Sequence, residues 1–129
     1  MYYLGIDLGG TNVAAAAVDG AGHILGRASL PTPIGAGPEG VADTMAAAAR
    51  AAAADAGLPP EGAASVGLGA AGSVDPERGL IRYWSNLDFR DVPVVSMLRE
   101  RLDRPVLLEN DANAAALGEY VAGAGRRCV

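Results

Sequence analysis

The sequence has 129 residues, half of them hydrophobic, which is enough for a single domain with a buried core. Its formal charge is −5 and all ten basic residues are arginine, so it offers no basic stripe and we expect no nucleic-acid partner. No apolar run approaches the roughly 20 residues that span a bilayer, and no signal-peptide pattern opens the chain, so we expect no membrane partner and a cytoplasmic location. With one cysteine (Cys128) and one histidine (His23), the chain cannot form an internal disulfide or a Cys/His metal cluster.

The first half of the chain predicts an antiparallel meander followed by a helix. Short apolar segments separated by glycine turns predict three strands, at residues 2–7, 12–19 and 23–30. Residues 39–57 are mostly alanine and predict a helix that ends at Gly57. The small alanine side chains would allow this helix to pack closely on the sheet.

The second half alternates strands and helices. The predicted segments are a strand at 64–70, a turn-rich piece at 71–79, an extended segment at 80–84, a helix at 93–102, a strand at 105–109 and a helix at 111–122. A meander followed by this alternation predicts an α/β layer fold. We expect the strands at 64–70 and 105–109 to join the sheet of the meander.

The segment GIDLGGTN, residues 5–12, ends a strand with an acidic residue and continues into two adjacent glycines. Glycines let backbone N–H groups approach an anion, Thr11 and Asn12 add side-chain donors, and Asp7 could hold a magnesium ion. The alternative is a tight turn with no ligand. No Gly-Lys-Ser/Thr follows, so the segment is not a Walker A loop.

The segment GLGAAG, residues 67–72, matches the spacing of a dinucleotide-binding loop. That motif needs a helix to begin at its third glycine, whereas Gly72 runs into a turn-forming sequence containing Pro76 and Gly79. We therefore reject a Rossmann-type site. What remains is a glycine loop at a strand end that can approach a ligand closely.

Two further polar positions lie among apolar residues. Asn86, within WSNLDF, could bind a ligand or close a local Asx turn. Asn110 or Asp111, between a predicted strand and a predicted helix, could cap that helix. The cap is compatible with a catalytic role, because a carboxylate near a helix N-terminus stays ionised and can accept a hydroxyl proton.

Taken in order, four blocks make the chain resemble the ROK family of bacterial sugar kinases and repressors. The blocks are LGIDLGGTN (4–12), GLGAAGSVDPERGLI (67–81), SNL (85–87) and LENDANAAALGE (108–119). The resemblance implies the ribonuclease-H-like N-terminal lobe of the actin-like ATPase fold, with a mixed sheet and flanking helices. Residues 1–129 would form that lobe, with 110–129 leading toward a second lobe.

The resemblance, and glucokinase-type members above all, implies ATP-dependent phosphorylation of a hexose. It assigns the ATP phosphates and Mg²⁺ to the first block, through Asp7, Gly9, Gly10, Thr11 and Asn12. Asp7 would hold the metal. It assigns the sugar to Gly72, Asn86, Asn110 and Asp111, with Asp111 as the catalytic base.

Two departures from the family pattern affect these expectations. Ala71 stands where many relatives carry proline, which leaves the loop before Gly72 less rigid. The chain ends at Val129, so the family's Glu-x-Gly-His sugar motif and its structural zinc site would lie beyond it. We expect the isolated chain to be inactive and the full-length protein to be a homo-oligomer.

Two alternatives to the kinase are open on the sequence. One is the sugar-binding part of a ROK repressor without catalysis, although repressors often lose the phosphate hairpin that is intact here. The other is a ribonuclease-H-like domain that has kept the scaffold and lost its ligands. The sequence does not name the sugar.

Overall fold

The computed structural model describes residues 1–110 of the chain, with side chains through Glu109. The helix predicted at 111–122 and the proposed base Asp111 lie outside the described residues. In chain order, the strands and helices are β1 Tyr2–Leu8, β2 Asn12–Asp19, β3 Ile24–Pro31, α1 Gly37–Asp55, β4 Val66–Ala70, β5 Ser73–Asp75, β6 Leu80–Trp84, β7 Phe89–Val92, α2 Val94–Leu102 and β8 Val106–Asn110.

The main sheet has five strands in the order β3-β2-β1-β4-β8. The first three pair antiparallel as the predicted meander, while β4 runs parallel to β1 and β8 runs parallel to β4. The predicted meander and the placement of the 64–70 and 105–109 segments in its sheet are therefore confirmed. All five residues of the central strand β4 are buried, as is usual for a parallel strand inside a sheet.

Helix α1 packs closely on the strands of the meander because its buried stripe consists mainly of alanine. The approach is tightest at Gly26 of β3, where an added Cβ would lie 2.4 Å from the carbonyl oxygen of Ala52. The helix ends at Asp55, two residues before the predicted end. Gly57 follows in the left-handed conformation, at φ +72°, and its N–H donates to the carbonyl oxygen of Ala54.

Polar side chains of α1 connect the helix to strand β3 and to helix α2. The carboxylate of Asp55 accepts a hydrogen bond from the backbone N–H of Arg27, at 3.0 Å, on the outer strand β3. On the other side, the largely buried Arg101 of α2 donates to Asp43 at 2.8 Å and also pairs with Glu39. The hydrogen bond to Asp43 and, to a smaller extent, the one to Glu39 raise the pKa of Arg101, so the guanidinium stays charged.

A second, three-stranded sheet, β5-β6-β7, is the main difference from the sequence-based prediction. Residues 73–75 pair with β6 as strand β5, whereas the sequence predicts only a turn there, and β7 is not predicted at all. The sequence of β7 does not indicate a strand because the segment has only four residues and the backbone of one of them, Asp91, is left-handed, at φ 49°. Pairing with β6 holds these residues in a strand that their own sequence does not indicate.

Candidate functional site

Three parallel strands that precede or contain predicted site residues end at one edge of the main sheet. Strands β1, β4 and β8 are parallel and end in register, with Leu8 beside Ala70 and Ala70 beside Asn110. The chain leaves β1 into the glycine hairpin and leaves β4 toward Gly72, and β8 ends at Asn110. Ligands of α/β sheets bind beyond the carboxyl ends of parallel strands, so this edge is the candidate site.

The hairpin between β1 and β2 consists of Gly9, Gly10 and Thr11, and Thr32 fixes its shape. The Thr32 hydroxyl donates to the carbonyl oxygen of Gly9 at 2.7 Å, and the Thr32 backbone N–H donates to that of Thr11 at 2.9 Å. Within residues 1–110, the N–H groups of Gly10 and Thr11 donate to no backbone carbonyl. Two of the three hairpin carbonyls therefore accept hydrogen bonds from Thr32, and two N–H donors are available for an anion.

Thr32 is a residue that the sequence analysis missed. It is 7% exposed, and it is the one polar residue among the buried side chains of the described part of the chain. It follows β3 in a loop rich in proline and glycine, 23 positions from Gly9, so no local pattern indicates its role. The sequence feature that could have indicated this role is a hydroxyl side chain immediately after β3, the strand that pairs with β2.

We expect Thr32→Val to destabilise the hairpin. The substitution keeps the shape of the side chain but leaves the Gly9 carbonyl without its 2.7 Å partner, which should lower the free energy of unfolding by about 1–3 kcal/mol. Urea denaturation of the intact protein measures this loss. Thr32→Ser retains the hydroxyl and is the matched control, so a loss in Thr32→Ser with no loss in Thr32→Val would mean that the methyl group, not the hydrogen bond, matters.

Asp7 is the acidic residue of the hairpin block. It lies one residue before the end of β1, its side chain is exposed, and its register neighbours are the small residues Ala14 and Gly69. One carboxylate together with phosphate oxygens is a common donor set for Mg²⁺, so Asp7 fits the expected role. No cluster of three His, Cys, Asp or Glu side chains that could hold a metal by itself occurs in residues 1–110.

Gly72 lies in the second block and packs against the end of β6, directly before the third block. Its φ is +84°, and a Cβ added there would lie 2.6 Å from the carbonyl oxygen of Tyr83 and 2.9 Å from Cβ of Trp84. Trp84 is itself buried, at 6% exposure. The loop that follows β4 is therefore packed directly on the end of β6, and only glycine fits at this contact. No helix begins at Gly72, in agreement with the rejection of a dinucleotide-binding loop.

Asn86 lies in a single 3₁₀ turn, Ser85–Leu87, directly after β6. The buried Leu87 anchors the turn, while Asn86 is exposed. Among the described residues its side chain makes no hydrogen bond, so it does not close an Asx turn. Its amide nitrogen lies against the hairpin, 3.1 Å from where a Cβ on Gly10 would be.

The fourth block reaches the edge through β8. Glu109 is paired with Gly69, which in turn is paired with Asp7, so the three lie at one level of the sheet. Asn110 ends the strand, and its role in binding the sugar stays a prediction. The two roles considered for Asp111, helix cap and catalytic base, stay predictions.

The fold is the actin-like ATPase fold found in ROK sugar kinases of known structure. A sequence model of the ROK family matches residues 3–129, and the chain belongs to that family. The expected fold class, a mixed sheet with flanking helices, is confirmed. Within residues 1–110 no helix is both long and apolar enough to cross a membrane.

Three relatives illustrate the similarity. A glucokinase from Streptomyces coelicolor is 40% identical over 123 residues, which is 95% of this chain and 37% of that protein. The crystal structure of a ROK family glucokinase from Streptomyces griseus, in complex with glucose and AMPPNP, is 42% identical with a TM-score of 0.80, and the match covers 97% of this chain and 38% of that one. A xylose repressor from Caldicellulosiruptor bescii is 37% identical over 60 residues, or 46% of this chain and 15% of that protein. The chain spans less than two fifths of the length of the glucokinases it matches.

Proposed function

We propose that the intact protein phosphorylates a hexose with ATP, and that this chain supplies the phosphate hairpin and part of the sugar site. One observation supports this above all. Strands β1, β4 and β8 end in register, so the hairpin, the start of the Gly72 loop and Asn110 at the end of β8 lie at a common edge. The glucokinase with bound glucose and AMPPNP supports the choice of a hexose and ATP as substrates.

In this proposal the hairpin binds the nucleotide phosphates. The N–H groups of Gly10 and Thr11 and the exposed side chains of Thr11 and Asn12 provide the donors. Asp7 holds Mg²⁺, which when bound neutralises charge on the phosphates. Phosphoryl transfer depends mostly on positioning and charge stabilisation. A hairpin held in shape by hydrogen bonds from Thr32 to two of its carbonyls is suited to both.

The sugar is held at the same edge, beside the hairpin. The Gly72 loop contributes backbone, and the amides of Asn86 and Asn110 hydrogen-bond sugar hydroxyls. Asp111 then accepts the proton of the attacking hydroxyl. The cytoplasmic location, the homo-oligomer and the zinc site beyond this chain stay predictions.

A sugar-sensing repressor is the second candidate, and the similarity to the xylose repressor favours it. Such a protein would bind sugar without transferring phosphate. The exposed hairpin donors favour the kinase, because a pure sugar sensor has no use for a phosphate site. A turnover measurement separates the two functions.

The test is ADP release by the purified intact protein with ATP, Mg²⁺ and a panel of hexoses and N-acetylhexosamines. We expect turnover with at least one sugar, and Asn86→Ala should raise the KM for that sugar about tenfold through the loss of a hydrogen bond. Ser85→Ala is the matched control, since Ser85 is an exposed neighbour in the same turn. Sugar binding by calorimetry without ADP release would support the repressor and contradict the kinase.

A further inference from the structure

The amide of Asn86 is packed directly against the glycine hairpin. A Cβ built on Gly10 would lie 3.1 Å from Nδ2 of Asn86, which is closer than a Cβ normally approaches a neighbouring atom. Asn86 is exposed and makes no hydrogen bond among the described residues. The amide of Asn86 therefore occupies part of the space that a side chain on Gly10 would need.

Both backbones at this contact are anchored, so the Asn86 side chain is the part that can move. The turn is closed by the Asp88 N–H, which donates to the Ser85 carbonyl oxygen at 3.1 Å, and Leu87 fixes it to the core. On the opposite side, the Thr32 hydroxyl holds the hairpin at Gly9. A side chain on Gly10 would consequently be accommodated by displacement of the amide.

Gly10 does not need to be glycine for reasons of backbone conformation. It is absent from the glycines with positive φ, so its backbone lies in a region that alanine also adopts. Binding of phosphate by the Gly10 N–H does not require glycine either, because every residue except proline has that group. The contact with Asn86 supplies a reason for glycine at this position.

We propose that Gly10 is a positioning residue for the sugar, in addition to its place in the phosphate hairpin. The missing side chain lets Asn86 lie against the hairpin, so the sugar hydroxyl bound by its amide is held at a set distance from the nucleotide phosphates. This inference rests on the proposed function, because it takes Asn86 as a sugar ligand. According to this inference, the proposed binding sites for ATP and for the sugar are in direct contact through Gly10 and Asn86.

The experiment is a double-mutant cycle in the intact protein, with wild type, Gly10→Ala, Asn86→Ala and the double variant. Gly10→Ala should raise the KM for the sugar about three- to tenfold, since it displaces the amide. In the Asn86→Ala background, the same substitution should change the sugar KM less than twofold, because no amide is left to displace. The KM for ATP is measured in all four proteins.

Gly62→Ala is the matched control. A Cβ at Gly62 would meet side-chain atoms of Pro59 at 3.3 Å and Tyr2 at 3.6 Å, a comparable contact beside the first residue of β1, away from the candidate edge. It should leave both KM values unchanged. Thermal melting of every variant distinguishes a local displacement from a loss of folded protein.

Independent, multiplicative effects of Gly10→Ala and Asn86→Ala on the sugar KM would overturn the inference, and so would an effect of Gly10→Ala on the ATP KM alone. Failure of the proposed function looks different, because the wild type would then release no ADP. If the wild type binds sugar without turnover, the same cycle is run on the calorimetric Kd, with the same expected coupling. If it binds no sugar at all, the inference and the proposed function are both wrong.

Discussion

Asp111→Asn in the intact protein should lower kcat for sugar phosphorylation by about 10²–10⁴-fold, the usual contribution of a general base, and leave the melting temperature nearly unchanged. Asparagine caps a helix about as well as aspartate, so the substitution preserves any cap at this position. An amide cannot take up the proton of the attacking hydroxyl. The paired measurements of turnover and melting therefore distinguish a base from a cap.

The matched control is Asp103→Asn, which makes the same chemical change away from the candidate edge. Asp103 follows α2 in a left-handed conformation, at φ 52°, which asparagine tolerates well. We expect normal turnover and stability from this variant. Near-normal turnover of Asp111→Asn would instead assign the residue to the cap and would require another base for the proposed reaction.

Gly72→Ala should give the largest loss of stability, about 2–5 kcal/mol. The left-handed backbone at φ +84° accounts for about 1–2 kcal/mol of this, and the clash of the new methyl group with Tyr83 and Trp84 accounts for about 1–3 kcal/mol. This is a large share of the 5–15 kcal/mol that is typical of a folded domain. Urea denaturation of the intact protein provides the measurement.

Gly35→Ala separates the two contributions. Gly35 has the same φ of +84°, but nothing lies within 4 Å of its added Cβ. This variant should lose only the conformational part, about 1–2 kcal/mol. If Gly72→Ala proves no more costly than Gly35→Ala, the loop moves away from β6 without strain, and the tight packing at Gly72 is not needed for stability.

The main sheet could be predicted because its signals are local. Residues 2–7 and 12–19 are apolar segments separated by two glycines, and the alanines of 39–57 have high helix propensity. The small sheet could not be predicted in full. Strand β7 depends on pairing with β6, and Asp91 in its interior departs from strand geometry.

The site was predictable to a similar extent. Motif order brought Asp7, Gly72 and Asn86 into consideration, and the strand register accounts for the proximity of the β1 and β4 ends that precede the hairpin and Gly72. Thr32 and the contact between Gly10 and Asn86 join residues that are far apart in the chain. No sequence spacing reports such a contact, because it depends on how β3 and the 3₁₀ turn are packed against the hairpin.

We also expect the hydrogen bond from Arg27 to Asp55 to reduce aggregation at high protein concentration. Strand β3 is an outer strand of the main sheet and carries the partly exposed side chains of Ile24 and Leu25, features that promote pairing with a strand of another molecule. The Asp55 carboxylate occupies an outward-facing N–H of that strand, and its charge opposes the approach of another backbone. We therefore expect the end of α1 to hinder pairing of this edge with a strand of another molecule.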